Sequence, residues 1–141
     1  MSPPPYIEDV RQRATGNASQ DDFVWLFFGH SETGKAAGRS FRERHVELTA
    51  DRNPEDIMDP RLAGRDWLEP HSDGFADLTA ITVPTLIGNG TIGVMLPTIS
   101  SFHLQQHIPD AQPIIYPDAS HASQFQHPEL FLKHAWIFLG G

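Results

Sequence analysis

Gly29-His30-Ser31, preceded by the apolar run Phe23 to Phe28 and followed by Gly34, places a serine between glycines at the end of an apolar segment. A G-x-S-x-G elbow exposes a nucleophilic hydroxyl in this way: the serine sits on a strained strand-to-helix turn, and the glycines let neighbouring backbone approach. The match is imperfect, because Thr33 holds the fifth position and glycine arrives one residue later. The same residues support a second reading, in which Ser31 caps a following helix and Glu32 occupies its first turn, where the helix dipole favours negative charge. His103 and His107 stand four apart in "HLQQH", the spacing of two ligands on one helix face. The segment lacks the glutamate of a zinc-protease motif, and no third ligand is evident. The expectation is therefore surface histidines, with no metal and no cofactor. His127 and His134 receive no role.

The 141 residues fit one domain of ordinary size, with 39% hydrophobic content. No cysteine is present, so thiolate catalysis, thiolate metal ligation and disulfides are excluded. The formal charge of −8 is unevenly spread: residues 51 to 80 carry eight acidic groups against three basic ones, and residues 81 to 141 carry three against one. Such a surface repels nucleic acid and anionic lipid. No run of about 18 apolar residues exists for a membrane span, and "MSPPPYIEDV" lacks the features of a secretory signal. A cytoplasmic location is expected.

The elements that would position these groups follow from pattern. Residues 1–22 read as a loose arm with a short helix around "YIEDVRQRA". Residues 35–49 suit a helix, with Ala37, Phe41 and Leu48 near one face. Residues 50–78 combine acids, turn formers and prolines with apolar anchors such as Ile57, Leu62 and Trp67, which suits short helices and loops. "AITVPTLIG" then reads as a buried strand closed by Asn89-Gly90, Pro97 opens a helix to about His107, and "QPIIYP" is a second strand. Pro128 opens a last helix, apolar nearly all round and so expected to be buried, which Gly140-Gly141 end as a C-cap. Two short strands joined through a helix make a parallel βαβ unit.

Residues 78 to 139 resemble the last part of the α/β-hydrolase superfamily, in its cap-bearing branches. The residues that carry the resemblance are Ile81, Pro84, Thr85, Gly90 and Pro97, then Ile108, Pro109, Ala111, Pro117 and His121, and finally Pro128, Phe131, Phe138 and Leu139. "WLFFGHSETGKAAGRSFRER" is similar to the cap region of the same enzymes. The resemblance implies an α/β fold comprising a helical cap-like segment at 23–78 and the C-terminal part of the hydrolase core at 79–141, with the upstream strands absent and the whole truncated.

It also implies which residues would carry catalysis. In the family a serine attacks a carbonyl, a histidine takes its proton, a carboxylate orients that histidine and backbone N–H groups hold the oxyanion. His121 falls at the histidine position. Gly93 falls at the acid position and has no side chain to offer; the variant acid position after the preceding strand would fall near Glu8 or Asp9. Ser31 lies too close to the strand near residue 83 for an elbow, since the fold requires a further helix and strand between them, and residues 43–78 supply no such strand. Ser31 is thus read as part of the cap, where Phe27 and Phe28 pack. Pro113 stands where the family's final strand usually has an aliphatic residue, and it removes a ladder N–H.

The expected function is that of a hydrolase-like protein without independent activity, an accessory to small-molecule metabolism. The alternative is an active serine hydrolase or acid/base catalyst using His121 and Ser31. A third class is a binding module whose Trp25, Phe27, Phe28 and Trp67 line a pocket for a small apolar ligand. A two-stranded parallel sheet is not independently stable, so a second copy or a protein partner is expected to complete it.

Overall fold

A computed structural model of the chain describes residues 6–14, 19–49 and 75–141. Three helices come first: α1 (Tyr6–Arg13), α2 (Gln20–Phe27) and α3 (Glu32–Thr49). A 3-10 turn at Ala76–Ala80 leads into β1 (Thr85–Gly90), followed by α4 (Thr98–His107), β2 (Ala111–Tyr116), a single turn α5 (Ser123–Gln126) and α6 (Pro128–Phe138). Trp67 and the other apolar anchors of residues 50–74 lie outside the described residues.

The run Phe23–Phe28 is helical up to Phe27, and its start is set by a capping box. Ser19 Oγ accepts from the Asp22 N–H at 3.1 Å while Asp22 Oδ2 accepts from the Ser19 N–H at 3.1 Å. Each group satisfies an otherwise unpaired donor of the first turn. Val24 and Phe28 are buried with Ala122 in a small core, against which Phe23, Phe27, Ala37 and Phe41 pack. Leu48, expected on the same face of α3 as Ala37 and Phe41, is exposed instead. The core is filled by the first turns of the helix, and Leu48 lies beyond its reach.

β1 and β2 form a parallel pair in register from Thr85 opposite Ala111 to Gly90 opposite Tyr116. The strand begins at Thr85, later than "AITVPTLIG" suggested, because pairing starts only where β2 supplies a partner. The Thr85 N–H donates to the Asp110 carbonyl at 2.8 Å, and Pro84 before it has no N–H to give. Pro113 stands opposite Ile87.

α6 departs most from expectation. Pro128 occupies its first turn and Gly140 ends it at φ 85°, a left-handed conformation suited to glycine. None of its residues is buried, however, and Leu132, Trp136, Ile137 and Leu139 around its end are 64–79% exposed. The inner face meets the sheet, where the Tyr116 hydroxyl lies 3.1 Å from His134 Nδ1. The outer face has nothing laid against it among the described residues. An apolar helix records what it could bury, and here only one side finds a surface.

Candidate active site

Parallel strands place both carboxyl ends on one side, and in open α/β sheets ligands bind outside those ends. Here the segments that follow β1 and β2 are tied together. The Thr91 N–H donates to the Tyr116 carbonyl at 3.0 Å and the Ile92 N–H to the Ala119 carbonyl at 2.9 Å. Gly90 permits the approach: a Cβ there would lie 1.9 Å from the Ala119 oxygen. Asn89, buried, holds the base of the loop by donating to Ser101 Oγ at 3.0 Å.

His121 emerges from this junction, half-buried between two clefts. One, of about 420 Å³, lies against β1 and is bordered by Ile87, Asn89, Leu104 and Phe131. The other, of about 330 Å³, is aromatic, walled by Phe23, Phe27, Phe41 and Phe125, with Arg42 and His45 at its border. The imidazole packs on the Phe27 ring at 5.5 Å between centroids. Burial lowers its pKa below 6.5, because the charged form loses hydration. Among the described residues no carboxylate acts on it. A neutral ring in an aromatic wall can accept a proton or a hydrogen bond from a ligand, but nothing fixes its tautomer in the manner of a triad acid.

Gly93 is enclosed by backbone. A Cβ at this position would lie 2.3 Å from the Leu96 oxygen and 2.6 Å from the Thr98 nitrogen, so the loop that follows β1 is wound too tightly to present a side chain there. Asp9 is exposed on α1 and shows no contact to His121; the side chain of Glu8 lies outside the described residues.

Ser31 is at the start of α3, where its Oγ accepts from the Gly34 N–H at 3.1 Å, the N-cap role. Its hydroxyl donates to Asp118 Oδ2, and its N–H points at Asp118 Oδ1 at 3.3 Å. It borders neither of the His121 clefts. The hydrogen bond from Ser31 holds the Asp118 carboxyl below its usual pKa. The flanking glycines have a packing origin as well. A Cβ on Gly29 would lie 1.9 Å from the Asp118 oxygen, and one on Gly34 would lie 2.7 Å from Gly29 backbone.

Sequence reasoning missed the residues that fasten this helical pair to the strand ends. Gln126 Oε1 accepts from the Gly29 N–H at 2.7 Å and its amide donates to the Asp118 carbonyl. The Ala122 N–H donates to the Phe27 carbonyl at 2.7 Å, and buried Ser120 donates to the Leu26 carbonyl at 2.8 Å. "PDAS" carries turn-forming residues, but their partners lie more than eighty residues upstream, and local pattern does not reach that far. Asp118 itself adopts φ 45°, a conformation that aspartate tolerates better than most residues.

Of the aromatic residues assigned to a pocket, Phe27 borders the cleft at His121, whereas Phe28 is fully buried in the core. Trp25 turns to a different cleft with His30. Residues two apart on a helix point to nearly opposite sides whereas those four apart share a face, so Phe27 joins Phe23 and not Trp25, and the continuous apolar run hid this. His103 and His107 both pack on Phe75, at 5.8 Å and 4.5 Å, and His107 Nδ1 donates to the His103 carbonyl at 2.7 Å. Among the described residues no three His, Asp or Glu side chains converge as metal ligands would. His127 donates from Nε2 to the Pro117 carbonyl at 3.0 Å, so it and His134 brace Tyr116.

No protein-family model matches the chain, and no curated protein matches it. Solved structures do. An α/β-hydrolase fold protein from Chitinophaga pinensis superposes with a TM-score of 0.75 at 29% identity, over 96% of this chain and 51% of that one. A candidate non-heme bromoperoxidase, BpoC, of Mycobacterium tuberculosis H37Rv gives 0.61 at 16% identity, over 99% and 46%. A variant of the meta-cleavage product hydrolase CumD gives 0.58 at 17% identity, over 94% and 49%. The chain has a partial α/β-hydrolase fold, and these structures agree with the resemblance its sequence carries. It spans about half the length of the structures it matches. No helix among the described residues is long and apolar enough to cross a membrane.

Proposed function

We propose that this chain is a hydrolase-like protein that does not hydrolyse substrates on its own and holds a small apolar ligand in the aromatic cleft beside His121, as an accessory of small-molecule metabolism in the cytoplasm. The observation that carries the reading is the state of His121: a half-buried imidazole facing two clefts, with no orienting carboxylate among the described residues and with Ser31 bordering neither cleft. Loss of the orienting acid alone costs about 10⁴ in turnover in a serine protease. Steady-state hydrolysis of short p-nitrophenyl esters tests it. The His121→Ala variant is expected to match the parent within about twofold, since a rate set by solvent and surface groups does not depend on one base. A drop beyond tenfold in a folded variant would overturn the reading.

The alternative, an active hydrolase using Ser31, draws on the Ser31–Asp118 hydrogen bond. That partner is a poor base. A general base works best with a pKa near the working pH, and Asp118 is held on the acidic side of an ordinary carboxylate. Ser31 is also committed to capping α3.

We infer in addition that a second copy of the chain covers the outer face of α6. The support is the exposure of Leu132, Trp136, Ile137 and Leu139 beside a sheet of two strands among the described residues, since contiguous exposed apolar surface marks association sites.

A further inference from the structure

Where α1, α2 and α3 meet, a third cleft of about 290 Å³ opens, and its wall is cationic. Arg13, Lys35 and Arg39 border it with His30, Trp25 and one acid, Asp21. The chain carries 18 acidic residues against 10 basic, so a cleft with three cations to one acid is opposite in sign to the molecule around it. Clefts lined by one sign of charge concentrate the opposite ion.

The cations are partly set in place. Arg13 Nη1 donates to Asp22 Oδ1 at 2.7 Å, and its guanidinium carbon lies 4.7 Å from the Trp25 ring centroid. Asp22 is itself fixed by the capping box with Ser19. His30 stacks on Trp25 at 5.3 Å and donates from Nε2 to the Trp25 carbonyl at 3.1 Å, because a carbonyl oxygen can only accept. Lys35 and Arg39 lie one turn apart on one face of α3. Lys35 has an exposed partner in Glu32 at 3.0 Å; Arg39 is also close enough to act electrostatically on Glu32 but is not within ion-pair distance of it.

We propose that this cleft binds a small organic phosphate monoester, with the phosphoryl group held by Arg39, Lys35 and Arg13. Planar guanidinium forks match the oxygens of a phosphoryl group, and a lysine adds a mobile point charge. Asp22 and Glu32, which pair with Arg13 and Lys35, lie outside the cleft wall, so a ligand must compete with them for these cations, and a dianion competes better than a single carboxylate. The volume, at the lower end of ligand pockets, leaves room for a few carbon atoms beyond the phosphoryl group. The site is separate from the His121 clefts and stands or falls without them.

The test follows the indole N–H resonance of Trp25 in the full chain during titration with glycerol 3-phosphate, and separately with inorganic phosphate, at fixed ionic strength. Glycerol 3-phosphate is expected to give a saturable shift at lower concentration than inorganic phosphate. Arg39→Gln and Lys35→Gln should each weaken it by roughly tenfold, the worth of one charge-assisted contact, without altering the circular dichroism. Neither side chain is needed for packing, so both variants should fold. No saturable shift, a shift that both variants leave unchanged, or equal affinity for the two anions would overturn the proposal.

Discussion

His121 has its proton affinity set by burial alone, and this has a consequence for stability. Its folded pKa lies below 6.5, the value of an unburied histidine. As pH falls the unfolded chain therefore takes up the proton first. The native state keeps its full stability above about 6.5 and loses it on the way down toward the folded pKa. His121→Leu removes this dependence. Urea midpoints of parent and variant, compared at about pH 7 and about pH 5, should show the parent losing more than the variant; parallel losses would contradict the burial. His121 could be picked out in the sequence because a resemblance ran through Pro117 and Pro128 on either side of it. Its lack of an acid partner among the described residues could not, beyond the bare fact that Gly93 lacks a side chain. The enclosure of Gly93 by Leu96 and Thr98 belongs to the winding of the loop, which one residue's identity does not reveal.

At the scale of elements, the turn between α2 and α3 is the joint that fastens the helical pair to the strand ends. The carbonyls of Leu26 and Phe27 and the N–H of Gly29 all pair with residues 120–126, and Gly29 lies against Asp118 with no room for a methyl group. Gly29→Ala should therefore destabilise the chain by about 2–3 kcal/mol, the upper part of the range for overpacking, measured by urea unfolding. A loss under about 0.5 kcal/mol, the size of an ordinary surface substitution, would show that the joint is not built this way. The glycines around Ser31 could be read from the sequence only as spacing, and that spacing mimicked an elbow. The atoms that explain Gly29 belong to Asp118, far along the chain, and those that explain Gly34 belong to the Gly29 backbone. Elements with local punctuation were easier. Pro97, Pro128 and Asn89-Gly90 marked α4, α6 and the end of β1 within a few residues, whereas the extent of α2 depended on Ser19 and Asp22, whose reciprocal bonds do not stand out in a polar stretch.

At the scale of the molecule, the fold is legible and its completeness is not. Ile81 to Leu139 carried the α/β-hydrolase resemblance, and the superposition on the Chitinophaga pinensis protein agrees with it over half of that chain's length. The apolar character of α6 was also visible, but apolarity alone does not say whether a partner is present. The exposed side of α6 predicts a dimer mass in light scattering, reverting to monomer on dilution or in Trp136→Glu, a charge placed in the apolar face. A cooperatively melting monomer with the parent sequence would contradict it. The central claim, that this hydrolase-like chain lacks a working nucleophile, is tested most directly by intact mass after exposure to a fluorophosphonate serine probe, on folded protein beside a Ser31→Ala control. No adduct is expected on either protein; a stoichiometric adduct that disappears in the control would show that Ser31 is a working nucleophile.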